Sequence, residues 1–274
     1  MIAVKAVAGV VRLAFVLLTG LSMAAGQTQS APASIGAAPS SRILPPSKTY
    51  VFPAEKYVYS VQWRFFNAGT STVTIQRSSS GEHVTATADS AGFTDKIFRV
   101  HDIFDADIDP RTFCTQQVSK HSEEGQRRRE SNVVLNYSRL KSEVTIKDLK
   151  SSETRHNEFD IPACVTDVIT GFSYVGSLPL APGFSHTFPV NDNGRTTDVM
   201  IRVEGRERVK GPAGEFQTLR VMAEPLSGPM KGKGVLWAWY SDDARRVPVQ
   251  MKSKLGFATL LFQLQRIEPA GSGK

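Results

Sequence analysis

Cysteine is scarce: the 274 residues contain two, Cys114 and Cys164. Their spacing excludes a C-x-x-C redox pair, and two thiols alone do not make a zinc site. Histidine is almost as thin, with His83, His101, His121, His156 and His186 scattered singly. No H-E-x-x-H, G-x-S-x-G, G-x-G-x-x-G or phosphate-loop motif occurs. A triad can assemble from distant residues, so catalysis is not excluded. Nothing nominates a catalytic residue, however, and the expectation leans to a non-enzymatic chain with no metal and no cofactor.

Long apolar runs are also missing. Leu13–Leu18 is short, and Arg12 interrupts the stretch before it, well below the roughly 20 residues of a membrane span. Nor is charge concentrated. The formal +7 falls to +5 if Lys5 and Arg12 are lost with a leader that holds no acids. The one dense cluster, Arg127-Arg128-Arg129, follows Glu123-Glu124 and reads as a solvated hairpin tip. A nucleic-acid partner is therefore not expected.

What is present begins with a basic start, the short apolar run, and small residues that offer cleavage after Ala24 or Gly26. That order is the grammar of a secretory signal peptide over residues 1–26, with an uncleaved N-terminal anchor as the alternative. No cysteine follows the run to carry a lipid. The expectation is a periplasmic or secreted protein with no transmembrane span after leader cleavage. Export favours a Cys114–Cys164 disulfide over two unpaired thiols, and the loop it closes would be worth roughly 4 kcal/mol.

Residues 27–48 are rich in Ala, Ser, Pro and Gln and read as a flexible tether, with order beginning near Thr49 and a frayed tail at 268–274. Between them, residues 49–267 read as a single β domain. Tyr57, Tyr59, Val61, Trp63 and Phe65 alternate with polar residues, and Asn67-Ala68-Gly69-Thr70 reads as the turn into Thr72–Ile75. Similar alternation recurs at Val133/Leu135/Tyr137, Val199/Ile201/Val203, Val235/Trp237/Trp239 and Val247/Val249/Met251. Turn residues separate these runs, as at Glu124-Gly125, Asn193-Gly194 and Pro212-Ala213-Gly214. One segment departs from the pattern: Val165–Leu178 has near-helical spacing, Thr166 as a possible N-cap and Pro179 as a stop. About a dozen strands and one helix predict an all-β fold. It is a single large antiparallel sheet, strongly curved or closed into a barrel-like shape, with the short helix covering it.

Three groups invite chemistry. Asp105, Asp107 and Asp109 alternate like calcium ligands, but Pro110 and Gln116 stand where that loop needs glycine and glutamate. On a strand they are three carboxylates on one solvated face. Ser241, Asp242 and Asp243, followed by Arg245 and Arg246, read as an Asx-type turn with salt bridges rather than a catalytic acid pair. Tyr57, Tyr59, Trp63, Trp237 and Trp239 either fill the interior or line a cavity for an apolar ligand.

Several stretches together resemble the bacterial domain-of-unknown-function family numbered 3108. They are Glu55–Trp63 with Asn67–Thr70, His101–Pro110, Val165–Val168, Leu180–Gly183, Gly211–Thr218 and, most specifically, Trp239–Val249 with its Ser241-Asp242-Asp243-Ala244-Arg245-Arg246 turn. Gly171–Gly176 departs from the Ser-Ala-Leu-Tyr-Tyr-like helix and following arginine that similar proteins often carry. The resemblance implies an exported, mostly β envelope protein and supplies no catalytic residues. By looser analogy, a curved sheet under a helix is similar to periplasmic lipoprotein carriers. The functional expectation is a binding or scaffold domain for an unknown envelope partner. A carrier of an apolar or amphiphilic ligand such as a lipid is the alternative, and an envelope hydrolase the third.

Overall fold

Val100, Asp102, Phe104, Ala106 and Ile108 are buried, and the residues between them are half-exposed. That period-two rhythm, one face in and one face out, is what the strands of this molecule share. The computed structural model describes residues 41–48, 50, 53–63, 66–78, 81–228, 231–255 and 258–271. The expected leader and residues 27–40 of the tether lie outside the described residues.

The first arm comprises β1 (Glu55–Trp63), β2 (Phe66–Ser78), β3 (Gly81–Ser90), the short helix α1 (Gly92–Ile97), β4 (Val100–Ile108), β5 (Thr115–Glu124), β6 (Arg127–Asn136), β7 (Lys141–Asp148) and β8 (Thr154–Asp160). The second comprises β9 (Thr166–Asp167), α2 (Thr170–Ser177), β10 (Ser185–Asp192), β11 (Arg195–Gly211), β12 (Gly214–Pro225), β13 (Gly234–Ser241), β14 (Pro248–Leu255) and β15 (Ala258–Pro269). All belong to one fifteen-stranded sheet ordered β8-β7-β6-β5-β4-β3-β2-β1-β15-β14-β13-β12-β11-β10-β9. The ladders are antiparallel except for β9 beside β10. The chain starts in the middle, meanders to one edge, crosses to the other, and meanders back to lay β15 against β1.

That crossing forces the curvature. Laid flat, fourteen inter-strand spacings would hold β8 and β9 about 65 Å apart. Only residues 161–165 join them, a link that reaches roughly 20 Å when extended. The sheet therefore curls until its edges approach, and it does so without closing a ladder between them. Side chains bridge the seam instead: the Ser142 hydroxyl donates to the Gly194 carbonyl at 2.6 Å, and the Thr115 hydroxyl donates to Asp167 Oδ2 at 2.8 Å. The Cys114–Cys164 disulfide ties the β4–β5 connection to the crossing loop, with Cα atoms 5.1 Å apart.

The main core lies inside the half of the curl built from β1, β2 and β10–β15, with Tyr59, Ile201, Leu219, Tyr240 and Leu264 almost fully buried. A smaller cluster, Val133, Leu135, Val144, Ile161 and Val165, fills the seam side.

Several local expectations are corrected. Asn67–Thr70 is not a turn. Trp63 pairs with Phe66, and the register slips between Val61 and Gln62, so the Asn-Ala-Gly signal marks a β-bulge within β2. The missing Cβ of Gly69 is required there, because a Cβ would overlap the Asp89 carbonyl of β3. The helix is shorter than Val165–Leu178: Thr166 and Asp167 pair with β10, and Thr170–Ser177 is helical. Asp167, not Thr166, serves its free amides, accepting from the N–H groups of Ile169 and Thr170 at 2.8 and 3.0 Å. A second helix, α1, was not expected, since Gly92 and a six-residue length give little helical signal. Residues 41–48, read as tether, are docked: Leu44 N–H donates to the Tyr174 hydroxyl at 2.9 Å and Ser47 N–H to Ser177 O at 2.8 Å. Ile43 and Leu44 supply the apolar surface that composition alone obscured.

Candidate ligand-binding cavity

α2 lies across the concave face of the sheet without filling it. Between them is a cavity of about 290 Å³ walled by α2 and by strands β1–β3 and β9–β15. Ile169, Phe172 and Val175 form the helical wall. Val199, Ile201, Val221, Leu236 and Phe262 stand opposite on the sheet.

The space has a local cause on β13. That strand turns Gly234, Leu236, Ala238 and Tyr240 toward the cavity, so two of its four inward positions are Gly and Ala. Its tryptophans occupy the alternate positions, where Trp239 is buried and Trp237 half-buried without either lining the cavity.

Exposure falls steadily along the inward face. On β13 it passes from half-buried Gly234 and Leu236 to buried Ala238 and Tyr240. On β11 it passes from half-buried Thr197 and Val199 to buried Ile201 and Val203. β12 repeats the trend in reverse chain direction, from buried Leu219 and Val221 to half-buried Ala223. The cavity thus widens toward the end of the sheet that holds Thr197, Ala223 and Gly234, and ends against Tyr240 and Tyr59. Six residue steps along β13 make the lined length about 20 Å.

The tyrosines at the closed end have their hydroxyls occupied. Tyr59 donates to Pro248 O at 2.9 Å and Tyr240 to Phe172 O at 3.0 Å, while Tyr57 donates to Glu55 at 2.9 Å. Their rings therefore present carbon to the interior. Burial holds the hydroxyls of all three well above the usual tyrosine range, so they stay protonated. Polar groups are few. Three carboxyls line the space: Asp167 is spent on the helix terminus, Glu224 stands at the wide end, and Asp192 carries a buried oxygen left unpartnered. Asn193 donates to its Oδ1 at 2.8 Å, whereas Oδ2 is sealed from solvent and has no hydrogen-bond partner among the described residues. Burial raises this carboxyl from 3.8 to about 7, with Lys120 opposing and Asp167 adding to the shift.

Of the five aromatic residues singled out in the sequence, Tyr57 and Tyr59 line the cavity, and Trp63, Trp237 and Trp239 are not among its lining residues. The Trp239 indole N–H donates to Glu207, and Trp63 packs against Phe98 and Val100. Alternation on β13 was legible, but which of its two faces points inward was not, and the heavier face is the wrong one. Phe172 and Ile169 were visible as the apolar side of the helix.

The Ser241–Arg246 turn closes the far end. Asp243 Oδ1 accepts from Ser241 Oγ at 2.8 Å and from the Arg245 and Arg246 N–H groups at 2.9 and 3.2 Å. Asp242 takes Arg206 at 2.7 Å and Arg246 at 2.9 Å, and Arg245 reaches Glu55 at 2.7 Å. Gly176 of α2 sits against Arg246 and Tyr240, so this turn is the seat of the helix C-terminus. Its polar groups are engaged with one another rather than aimed at a reactant.

The histidine–aspartate pairs lie elsewhere. His83 bridges Asp107 at 2.9 Å and Asp105 at 3.3 Å on the half-exposed face of β3 and β4. Asp109 lies beyond β4 and accepts from Arg111 N–H at 2.9 Å. Among the described residues no group of three or more His, Cys, Asp or Glu is placed to hold a metal ion.

The family model described as "Protein of unknown function (DUF3108)" matches residues 58–265. The chain belongs to the DUF3108 family. A search of curated proteins finds no match for this DUF3108 chain. Among solved structures it is similar to a β-barrel-like DUF1849 protein from Brucella abortus, with TM-score 0.57 and 9% identity over 84% of this chain and 99% of that one. At that identity the likeness concerns the fold alone, and it agrees with a sheet that curls. More distant likenesses are a candidate exported protein with a YmcC-like fold from Bacteroides fragilis, with TM-score 0.32 and 12% identity over 84% and 100% of the two chains. A candidate lipoprotein from Parabacteroides distasonis has TM-score 0.30 and 10% identity over the same shares. No helix among the described residues is long and apolar enough to cross a membrane.

Proposed function

We propose that this DUF3108 protein is an exported, non-enzymatic binder of an elongated apolar or amphiphilic molecule, with a lipid acyl chain as the natural occupant. The observation that carries the reading is the apolar cavity of about 290 Å³ under α2. Its volume is at the lower end of the range for small-molecule sites, which run from about 300 Å³ upward. Its length along β13 favours a linear chain over a compact ring system. A purely scaffolding domain would have no use for inward Gly234 and Ala238 on the strand that also carries two tryptophans. Enzymatic readings have less support, because the titratable side chains nearest the cavity are engaged structurally or stand alone, as Asp192 does. Export is supported by the leader-like residues 1–26 and by the disulfide.

The test is binding of cis-parinaric acid, followed by its fluorescence, to the wild-type protein and to Ala223→Trp. Ala223 lines the wide end of the cavity, and an indole there would obstruct entry. Saturable binding, weakened at least about tenfold by the substitution, is the expected result; a tenfold loss corresponds to 1.4 kcal/mol. No saturable binding by a folded wild-type protein would overturn the reading. Native mass spectra before and after organic extraction would then show whether a lipid-sized mass co-purifies.

A further inference from the structure

The wide end of the cavity lies at the end of the sheet that carries three of the five exposed large apolar side chains among the described residues. Phe93 is 72% exposed, Phe66 63% and Leu226 38%. Phe66 opens β2, Phe93 lies in α1 directly after β3, and Leu226 directly follows β12. In an antiparallel meander those positions share one end of the sheet, the end where Thr197, Ala223 and Gly234 mark the widening of the cavity. The other two exposed large apolar side chains among the described residues, Val134 and Leu140, lie within β6 and at the opposite end.

Cations accompany them. Lys231 and Lys233 project from the β12–β13 connection, Lys254 ends β14 nearby, and Lys96 stands in α1. All four are exposed, and none forms an ion pair among the described residues. Leu226 to Ser241 contains these first two lysines and no acid. Of the acids at this end, Glu224 lines the cavity itself, Asp198 stands on β11, and Asp95 in α1 accepts the Ser90 hydroxyl at 2.6 Å.

We propose that this rim docks on the surface of an anionic phospholipid bilayer, with the cavity mouth turned toward the acyl chains. The inference rests on the apolar-chain reading above. Separate exposed aromatic and aliphatic side chains on loop tips can enter the interfacial zone, while lysines between them meet lipid phosphates. A protein that handles an insoluble chain gains from having the mouth and the contact surface at the same end, since the chain then passes without crossing water. A rim that served only solubility would carry its charges without Phe66 and Phe93 beside them.

Co-sedimentation with phosphatidylglycerol vesicles and with phosphatidylcholine vesicles, at low and at high salt, tests the proposal. Cis-parinaric acid binding is measured in parallel, without vesicles. The wild-type protein should sediment with phosphatidylglycerol and be released by salt. Lys231→Gln with Lys233→Gln should weaken that partition roughly 30-fold, at about fivefold per lysine near an anionic surface. Phe66→Ser, Phe93→Ser and Leu226→Ser together should abolish sedimentation and leave parinaric acid binding as in wild type, because none of the three lines the cavity. If the wild type stays in the supernatant with phosphatidylglycerol at low salt, or if the triple variant sediments as well as wild type, the docking proposal is overturned. Loss of parinaric acid binding in the wild type is a separate failure and removes the reading on which docking rests.

Discussion

The Tyr240 hydroxyl donates to the Phe172 carbonyl at 3.0 Å, joining the floor strand of the cavity to the helix that roofs it. The pair fixes the distance between the two walls. Gly176 packs the helix against the same elements, where a Cβ would meet Arg246 and Tyr240 at ordinary contact distances of 3.4 and 3.5 Å.

Tyr240→Phe therefore removes a tether without changing the ring. The Phe172 carbonyl would lose this partner, and stability should fall by about 1 kcal/mol. Amide exchange in Thr170–Ser177 should quicken more than in β13, because the strand keeps its ladders. Unchanged exchange across the helix would show that α2 is held by packing alone.

The seam depends on a glycine. Gly194 has φ of 83° in the β10–β11 turn, and a Cβ there would overlap Val144 of β7 across the gap between the two arms. Gly194→Ala should cost about 2–3 kcal/mol, combining a strained backbone with a displaced contact. Urea unfolding reads it. A midpoint equal to wild type would mean that the two arms are not in contact there in solution.

Reduction tests the crossing. Cys114 and Cys164 close a loop with a sequence separation of 50, worth roughly 4 kcal/mol through the unfolded chain. The double substitution Cys114→Ser and Cys164→Ser should lower the urea midpoint accordingly, and dithiothreitol should do the same to wild type but not to the variant. Equal sensitivity of both proteins to the reductant would contradict the bridge.

Asp192 gives a pH dependence. Burial lifts its folded-state value to about 7 from 3.8, so the folded protein holds a proton that the unfolded chain releases. Its contribution to stability is complete below 3.8 and is lost as pH rises through about 7. Asp192→Asn should flatten that decline between pH 4 and 7 in denaturant titrations. A decline as steep in the variant as in wild type would place its origin in another group.

Much of the architecture was legible in the chain. Alternation of apolar and polar residues reports a strand because successive side chains leave opposite faces, and turn residues report where each strand ends. That sufficed for an antiparallel meander with a covering helix, and two cysteines in the whole chain left a single possible bridge. The bulge at Asn67–Gly69 was misread as a turn because both need a small residue where the chain crowds.

The cavity was not legible, for a physical reason that β13 displays. A period of two defines two faces and is silent about which one lies inside. Trp237 and Trp239 have the larger apolar surface, yet Gly234 and Ala238 face inward, and whether space remains depends on residues of nine other strands and of α2. The strand rhythm was a property of the sequence by itself, and so was the restriction of any bridge within the chain to Cys114 and Cys164. The curl was decided by the five-residue crossing between the edges of a fifteen-stranded sheet, and the cavity by what that curl brought face to face. Neither is a local property, because the crossing acts only on a sheet that β15 completes against β1, and the cavity needs strands from both ends of the chain.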